Sequence, residues 1–206
     1  MLKFILAFAF FTSPLLAETF MCQRCEVFKP DPKPEPKPDP KPEPKPEPEP
    51  EPEPTGKCLG TASVCKIEAL IVQKTNDLRK SQGKKPFGTC HEAAYAARDW
   101  STTMANKNKI SHDGFPTARA AAVKAKFGFY LSFRAENVAM FGQGNITSDF
   151  EETVASKFVS MWWNSSGHRR NMLADLDNMG AGVAVVDGSQ YIKLYATELM
   201  LNQCSR

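Results

Sequence analysis

The chain has 206 residues, of which 42% are hydrophobic, and its formal net charge at pH 7 is +3. This length allows one ordinary domain with a buried core and shorter appended segments. Residues 55–206 carry 19 basic and 13 acidic side chains, whereas residues 29–54 carry 5 and 8. The basic residues of the longer part are scattered without interleaved aromatic residues, which argues against nucleic-acid binding.

Residues 1–17 have the pattern of a secretory signal peptide. Lys3 precedes an apolar run rich in phenylalanine, leucine and alanine, which ends at the small residue Ala17. The run is shorter than the roughly 20 residues that a membrane-spanning helix needs, and no later segment is long and uncharged enough. No cysteine follows Ala17 to accept a lipid. We therefore expect a secreted, extracellular chain without a transmembrane segment.

Residues 29–54 alternate proline with a charged residue and contain no other apolar side chain. Proline at every second position removes amide donors and favours extended backbone angles. The pattern predicts a polyproline II stalk that rises ~3.1 Å per residue. Its expected role is spacing, and the alternative is recognition by a proline-binding partner or a wall polymer. Residues 55–206 then form the single domain.

Six cysteines follow the signal peptide, and an even number in an exported chain is typical of disulfide bonds. They are Cys22, Cys25, Cys58, Cys65, Cys90 and Cys204. We expect the last four to form two bridges, one of which holds the chain end through Cys204. The first two lie in the short segment 18–28 and are expected to pair locally or between chains, which would give a disulfide-linked oligomer. A redox or metal role for this CxxC is the alternative.

Hydrophobic periodicity predicts three helices in the first half of the domain. The first ends before Gly83, and the second follows a capping box made by Thr89 and Glu92. The third covers residues 117–126 and ends at Gly128. The predicted core faces are Ile67, Leu70, Ile71 and Leu78 in the first helix and Ala93, Ala97, Trp100 and Met104 in the second.

A fourth helix is predicted after a second capping box, made by Ser148 and Glu151. The helix should run to Gly167 and deliver His168 at its C-terminal end, where a side chain can turn into a cleft. Its predicted apolar stripe is Phe150, Val154, Phe158, Met161 and Trp162. The adjacent Trp163 should point to a different face.

Three runs rich in β-formers predict strands. They cover residues 135–141, 180–186 and 191–199, and the last two flank Asp187-Gly188, a strong hairpin signal. Helices combined with a C-terminal hairpin predict an α+β domain in which helices sandwich an antiparallel sheet.

His112, Glu136 and His168 are the candidate site residues. Two neutral imidazoles and one carboxylate would supply three ligands for a zinc-like divalent cation and leave a position for water. The alternative is that both histidines are surface or hydrogen-bonded loop residues and that Glu136 pairs with Arg134. Spacing in the sequence does not decide between the two interpretations.

Five short motifs follow one another along residues 67–201. They are an Asn-x-x-Arg motif, a His after the second helix, a Gly-Glu-Asn-Ile-like segment, a Trp-x-x-Ser-x-Gly-His-Arg-x-Asn signature and a Gly-x-Gly strand. The residues are Asn76 to Arg79, Ser111-His112, Ala135 to Val138, Trp163 to Leu173 and Gly180 to Gly182. Their order resembles the CAP superfamily, which includes cysteine-rich secretory, antigen 5 and pathogenesis-related proteins, and especially its bacterial-type branch.

The resemblance implies a three-layer α-β-α sandwich. Its central cleft holds two histidines and, in many members, two glutamates, and this tetrad binds divalent cations in some proteins. His112, Glu136 and His168 match three of the four positions. The second glutamate has no match, because this chain has Asn164-Ser165-Ser166 after the signature tryptophan. Members of the family bind sterols, fatty acids or phospholipids, or act as extracellular effectors.

Two hydrolase motifs are absent from the sequence. His91-Glu92 resembles the start of the metalloprotease motif HExxH, but Tyr95 occupies the place of the second histidine. No serine lies in a G-x-S-x-G elbow. The leading hypothesis is therefore a secreted, non-catalytic binding module for a lipid or sterol, with a divalent-cation site in the cleft. The alternatives are a surface adhesion or wall-associated display protein and a metal-dependent hydrolase.

Overall fold

The computed structural model of the chain describes residues 60–144, 148–186 and 191–204. The predicted signal peptide, the segment 18–28, the stalk and the turn at Asp187-Gly188 lie outside these residues. Within them the chain forms five helices and four strands. These are α1 Ala62–Ser81, β1 Gly88–Thr89, α2 His91–Asn106, α3 Thr117–Phe127, β2 Phe133–Gln143, α4 Phe150–Asn164, α5 Ser166–Met172, β3 Asn178–Val186 and β4 Ile192–Leu201.

The four strands form one sheet in the order β1-β3-β4-β2. The central strand β4 is antiparallel to both of its neighbours, whereas β1 runs parallel to β3. The three predicted strands are confirmed. The strand β1 was not predicted, because two residues are too few to show a period of two.

Alternate residues of β4 face two different helical layers. Leu194, Ala196 and Met200 pack in one cluster with residues of α1 and α4. Tyr195 and Leu199 pack on the other face, with residues of α2. Because successive strand residues point to opposite faces, helices cover the sheet on both sides. The α+β class and the α-β-α sandwich are confirmed.

Two glycines of β3 allow α2 to lie directly on the strand. A Cβ atom at Gly180 would lie 2.1 Å from the backbone nitrogen of Ala94, and one at Gly182 would lie 2.0 Å from that of Arg98. Neither distance is sterically possible. The Gly-x-Gly pattern is therefore a packing requirement between the sheet and α2.

Both predicted capping boxes are wrong. Thr89 belongs to β1, and the residue that caps α2 is Cys90, which makes no side-chain cap. The capping position of α4 is Asp149 and not Ser148. In the first case β1 fixes the helix start, because it pairs with β3 up to Thr89 and the amide of Cys90 donates to the carbonyl of Met179 at 2.8 Å.

The disulfide prediction for the chain end is confirmed, because Cys90 is bonded to Cys204 across 114 residues of sequence. Cys65 is also disulfide-bonded. The other three cysteines lie outside the described residues. The bridge fastens the end of the chain to the start of α2. No helix in the described ranges is long and apolar enough to cross a membrane.

Candidate functional site

His112 and Glu136 meet in the fold although 24 residues separate them. His112 lies between α2 and α3, and Glu136 lies near the start of β2. The Nδ1 atom of His112 is 2.7 Å from Oε1 of Glu136. The Glu136 side chain is 1% exposed and the His112 side chain 53% exposed. The imidazole is therefore held from inside by a buried carboxylate while the rest of its ring faces solvent.

Arg119 of α3 completes this cluster. Its Nε atom is 2.5 Å from Oε2 of Glu136, and its Nη2 atom donates to Oε1 at 2.9 Å. The guanidinium carbon lies 3.4 Å from the centre of the Trp100 ring, and Nη1 donates to the carbonyl of Asp113 at 3.0 Å. This bidentate and stacked geometry is one that arginine makes and lysine does not. Arg119 therefore fixes Glu136, which in turn fixes His112.

The sequence analysis does not predict Arg119 as a site residue and gives Arg134 as the alternative partner of Glu136. The structure pairs Glu136 with Arg119 instead, and Arg134 is exposed. A signal for Arg119 was available in the sequence. It is the only charged residue in the first half of the alanine-rich helix α3, four positions before the buried Val123. An arginine on an apolar helix face needs a buried acceptor.

His168 lies in the first turn of α5, and the prediction that one long helix delivers it at its C-terminal end is wrong. The chain leaves α4 at Ser165, whose ψ is 123°, and starts the new helix α5 at Ser166. Gly167 is inside α5. Partial burial and the nearby charge of His112 both lower the pKa of His168. The ring is therefore neutral at pH 7, and it lies close enough to His112 for their charges to interact.

Two asparagines tie α5 to the sheet beside these histidines. Asn137 donates from Nδ2 to the backbone carbonyl of His168 at 3.2 Å. Asn171 donates to Oδ1 of Asn137 at 2.9 Å and to the carbonyl of Glu136 at 3.2 Å. Asn137 also donates to the buried carboxyl of Glu198 in β4, at 3.0 Å. These bonds hold the helix that carries His168 against β2.

The role of His112, Glu136 and His168 as metal ligands stays a prediction. Among the described residues, one group of three ligand atoms lies within 4.8 Å of one another, and it consists of Cys90, Glu92 and Cys204. The two cysteines of that group are bonded to each other. Arg119 and His112 contact both oxygens of Glu136. These contacts fit a carboxylate that orients a histidine.

The Asn-x-x-Arg motif of α1 is structural. The side chain of Asn76 accepts from the amide of Phe87 at 2.8 Å and donates to its carbonyl at 3.0 Å. The buried guanidinium of Arg79 donates to the carbonyls of Met172 and Ala174, at 2.7 and 2.9 Å. The motif therefore fastens the end of α1 to the chain before β1 and to the end of α5.

The two tryptophans of α4 have the surroundings that the sequence predicts, whereas Met161 differs. Trp162 is fully buried, whereas Trp163 is partly exposed and its ring lies 5.7 Å from the guanidinium carbon of Arg169. Met161 is 38% exposed and does not belong to the buried stripe of α4. His91 lies in the first turn of α2, is partly buried and has its ring edge-on to Phe127 at 5.9 Å.

A family profile covers most of the domain. The profile described as CAP, the cysteine-rich secretory protein family, matches residues 72–199, which is more than half of the chain. The chain belongs to the CAP family. This confirms the resemblance drawn from the motifs.

The chain is also similar to individual known proteins. YkwD, an uncharacterized protein of Bacillus subtilis (strain 168), is 30% identical over 122 residues, and the match spans 59% of this chain but only 44% of that relative. An outer surface protein of Borrelia burgdorferi has 16% identity and a TM-score of 0.47, with 72% of this chain and 99% of that chain covered. An extracellular SCP-domain protein of Bacillus anthracis has 19% identity and a TM-score of 0.46, with 71% and 45% covered.

Proposed function

We propose that this CAP protein is a secreted binding module whose ligand site is the cleft at His112 and His168. The observation that carries this proposal is the chain of contacts from Arg119 through Glu136 to Nδ1 of His112. A carboxylate that accepts from Nδ1 fixes the tautomer of the ring and leaves Nε2 as a lone-pair donor. Buried groups are thus arranged around an exposed imidazole, which a residue with only a packing role would not need.

A divalent cation such as Zn²⁺ is the proposed ligand of the two imidazoles. Neutral imidazole nitrogen is a zinc ligand, and the lowered pKa of His168 keeps that ring neutral at pH 7. Glu136 would orient His112 without binding the ion. When bound, the cation would supply a Lewis acid that attracts an anionic or carbonyl oxygen of a second ligand. Two protein ligands give a weaker site than the three or four of most zinc proteins.

Calorimetric titration of the purified, oxidised chain with Zn²⁺ tests this proposal. We expect one ion per chain in the parent protein and no binding in a His112→Ala, His168→Ala double variant. His91→Ala is the matched control, because His91 lies on α2 against Phe127 and away from this network. Binding that persists in the double variant, or no binding in the parent, would overturn the proposal.

A lipid or sterol is the second candidate ligand, and a groove beside α3 favours it. The groove has a volume of about 400 Å³, within the range of small-molecule sites. It is lined mainly by apolar residues, namely Pro116, Thr117, Ala120, Ala121, Tyr130, Leu131, Ser132 and Phe133. Ala120→Trp should fill it and abolish binding of a fluorescent fatty acid or sterol. Ala125→Trp on the exposed face of α3 is the control, and equal binding by both variants would exclude the groove.

The two remaining hypotheses have less support. In the described part of the chain, neither imidazole has a serine, threonine or cysteine side chain as its hydrogen-bond partner. A hydrolase would therefore have to use water as its nucleophile, and loss of activity in a folded His168→Ala protein is its test.

Display by the stalk stays a prediction, because residues 29–54 lie outside the described residues. Loss of surface retention after deletion of the chain through Pro54 would support it.

A further inference from the structure

Glu198 is a fully buried carboxyl whose hydrogen-bond partners are both uncharged. Its Oε1 atom accepts from the hydroxyl of Thr75 at 2.7 Å, and Oε2 accepts from the amide of Asn137 at 3.0 Å. The other buried carboxylates differ, because Glu68 is paired with Arg98 and Glu136 with Arg119. A buried carboxylate without a cation is costly, so Glu198 needs an explanation beyond stability.

The partners of Glu198 lead directly to the helix that carries His168. Asn137 donates from the same Nδ2 atom to Glu198 and to the carbonyl of His168. Its Oδ1 atom accepts from Asn171, also on α5. Both ends of the Asn137 amide are therefore engaged, and this amide cannot turn over without losing bonds to α5. One side chain joins Glu198 to the proposed ligand site.

We propose that Glu198 is a positioning residue for His168. Its ionised form holds α5 in position through Asn137, and its neutral form does not. An ionised carboxylate is a stronger acceptor than a neutral carboxyl group, so the bond from Asn137 weakens when Glu198 takes up a proton. The proton has one suitable acceptor among the contacts of Glu198, the hydroxyl oxygen of Thr75, because a hydroxyl group can rotate. The inference rests on the proposed role of His168 in ligand binding.

Both forms of Glu198 exist near neutral pH. Burial raises the pKa of Glu198 to about 7, and the hydrogen bonds from Thr75 and Asn137 only partly oppose this effect. Thr75 of α1 and Asn137 of β2 bond to the carboxyl of Glu198, and Ala181 of β3 lies opposite it in the sheet. None of these three side chains titrates. The charged group one turn further along α1 is Arg79, whose guanidinium is engaged by backbone carbonyls.

The test is an NMR titration of the α5 backbone amides in the full chain between pH 5.5 and 8.5. In the parent protein the amides of residues 167–171 should shift with a midpoint near 7. In Glu198→Gln, which keeps the shape of the side chain but cannot ionise, this transition should disappear. The transition should persist in His168→Gln, which removes the titration of the histidine itself. Glu92→Gln is the control for loss of a carboxyl elsewhere and should leave the midpoint unchanged.

Zn²⁺ binding gives a second readout. The affinities of parent and Glu198→Gln should agree within about twofold at pH 6, where Glu198 is mostly neutral. At pH 8 Glu198 is mostly ionised, and the parent should bind at least about threefold more tightly than the variant. If no variant binds Zn²⁺, the proposed ligand fails, but the amide titration still decides the positioning role. If Glu198→Gln does not fold, the carboxyl ¹³C resonance of Glu198 in the parent must titrate together with the α5 amides. An α5 transition that survives in Glu198→Gln would overturn the inference.

Discussion

Glu136 and Glu198 are two buried carboxyls on neighbouring strands, and they differ in the charge of their hydrogen-bond partners. Glu136 faces α2 and α3, where Arg119 supplies a compensating charge. Glu198 lies on the other face of the sheet, towards α1, and its hydrogen-bond donors among the described residues, Thr75 and Asn137, are neutral. The strands β2 and β4 are hydrogen-bonded to each other. Asn137, which follows Glu136 in sequence, lies opposite Glu198.

The difference separates a carboxyl with a cationic partner from one without. Arg119 holds Glu136 through two nitrogens, so the contact of Glu136 with His112 is built into the fold. Burial without a cation favours the neutral form, so Glu198 changes its charge within the physiological range. One face of the sheet therefore holds the site rigidly, while the other makes its geometry depend on pH.

The largest expected effect is at Arg119. Arg119→Met keeps an apolar stem of similar length but leaves the carboxylate of Glu136 buried without a cation. Breaking a buried pair in this way costs about 3–5 kcal/mol of the free energy of unfolding. Urea unfolding monitored by tryptophan fluorescence measures it. Arg134→Met, an exposed arginine on the same strand as Glu136, should change the free energy of unfolding by less than about 0.5 kcal/mol. Equal effects of the two variants would contradict the pairing.

The second effect is the pH dependence of stability that Glu198 causes. The pKa of Glu198 is raised from its ordinary value of 4.5 to about 7 in the folded chain. Between these values the folded state holds a proton that the unfolded state has lost, so stability falls as pH rises from 4.5 to 7. The fall amounts to about 3 kcal/mol and is complete above pH 7. Glu198→Gln should remove it, so that the variant is more stable than the parent at pH 8 and not at pH 4.5.

Urea unfolding of both proteins at pH 5 and pH 8 checks this sign. A parent whose stability rises between the two values, with Glu198→Gln following the same curve, would show that Glu198 ionises at an ordinary pH. The comparison of the two proteins is needed because every other carboxyl and histidine contributes equally to both curves.

The sequence predicted the helices and strands that carry a long apolar pattern. It missed the features that depend on contacts with residues distant in the chain. The helices α1 and α3 and the strands β2, β3 and β4 carry clear apolar patterns, which tertiary contacts then reinforce. The start of α2 was wrong, because pairing of β1 with β3 and the bond of Cys90 to Cys204 decide it. The break between α4 and α5 was also missed, because serine at its position has no strong signal for either conformation.

The site was predicted in part for the same reason. Motif order identified His112, Glu136 and His168, and the first two are in contact. Arg119, Asn137 and Glu198 act through partners that are 17, 31 and 61 or more residues away in the chain. No local pattern reports such pairs. A buried charge becomes visible in a sequence only when the face it occupies is otherwise apolar, as in α3.

The third prediction concerns the contact between the sheet and α2. Gly182→Ala places a methyl group 2.0 Å from the backbone of Arg98, so α2 has to move away from β3. Overpacking of this kind costs about 1–3 kcal/mol of the free energy of unfolding, measured by urea unfolding. Gly144→Ala is the control, because a Cβ atom there meets nothing within 4 Å. If Gly182→Ala leaves the free energy of unfolding unchanged, α2 is free to shift on the sheet. The packing of α2 on β3 would then not fix the Trp100 ring that lies against Arg119.

The smallest expected effect is at His112, and it tests which partner holds Glu136. His112→Gln removes an imidazole whose side chain is 53% exposed, while Arg119 still engages both carboxylate oxygens. Exposed pairs of this kind contribute about 1 kcal/mol or less. The free energy of unfolding should therefore change far less than in Arg119→Met, although Zn²⁺ binding should be lost. A loss of stability as large as that of the arginine variant would mean that His112 is part of the support of Glu136. In that case Arg119 and Glu136 would not serve to orient the exposed ring of His112.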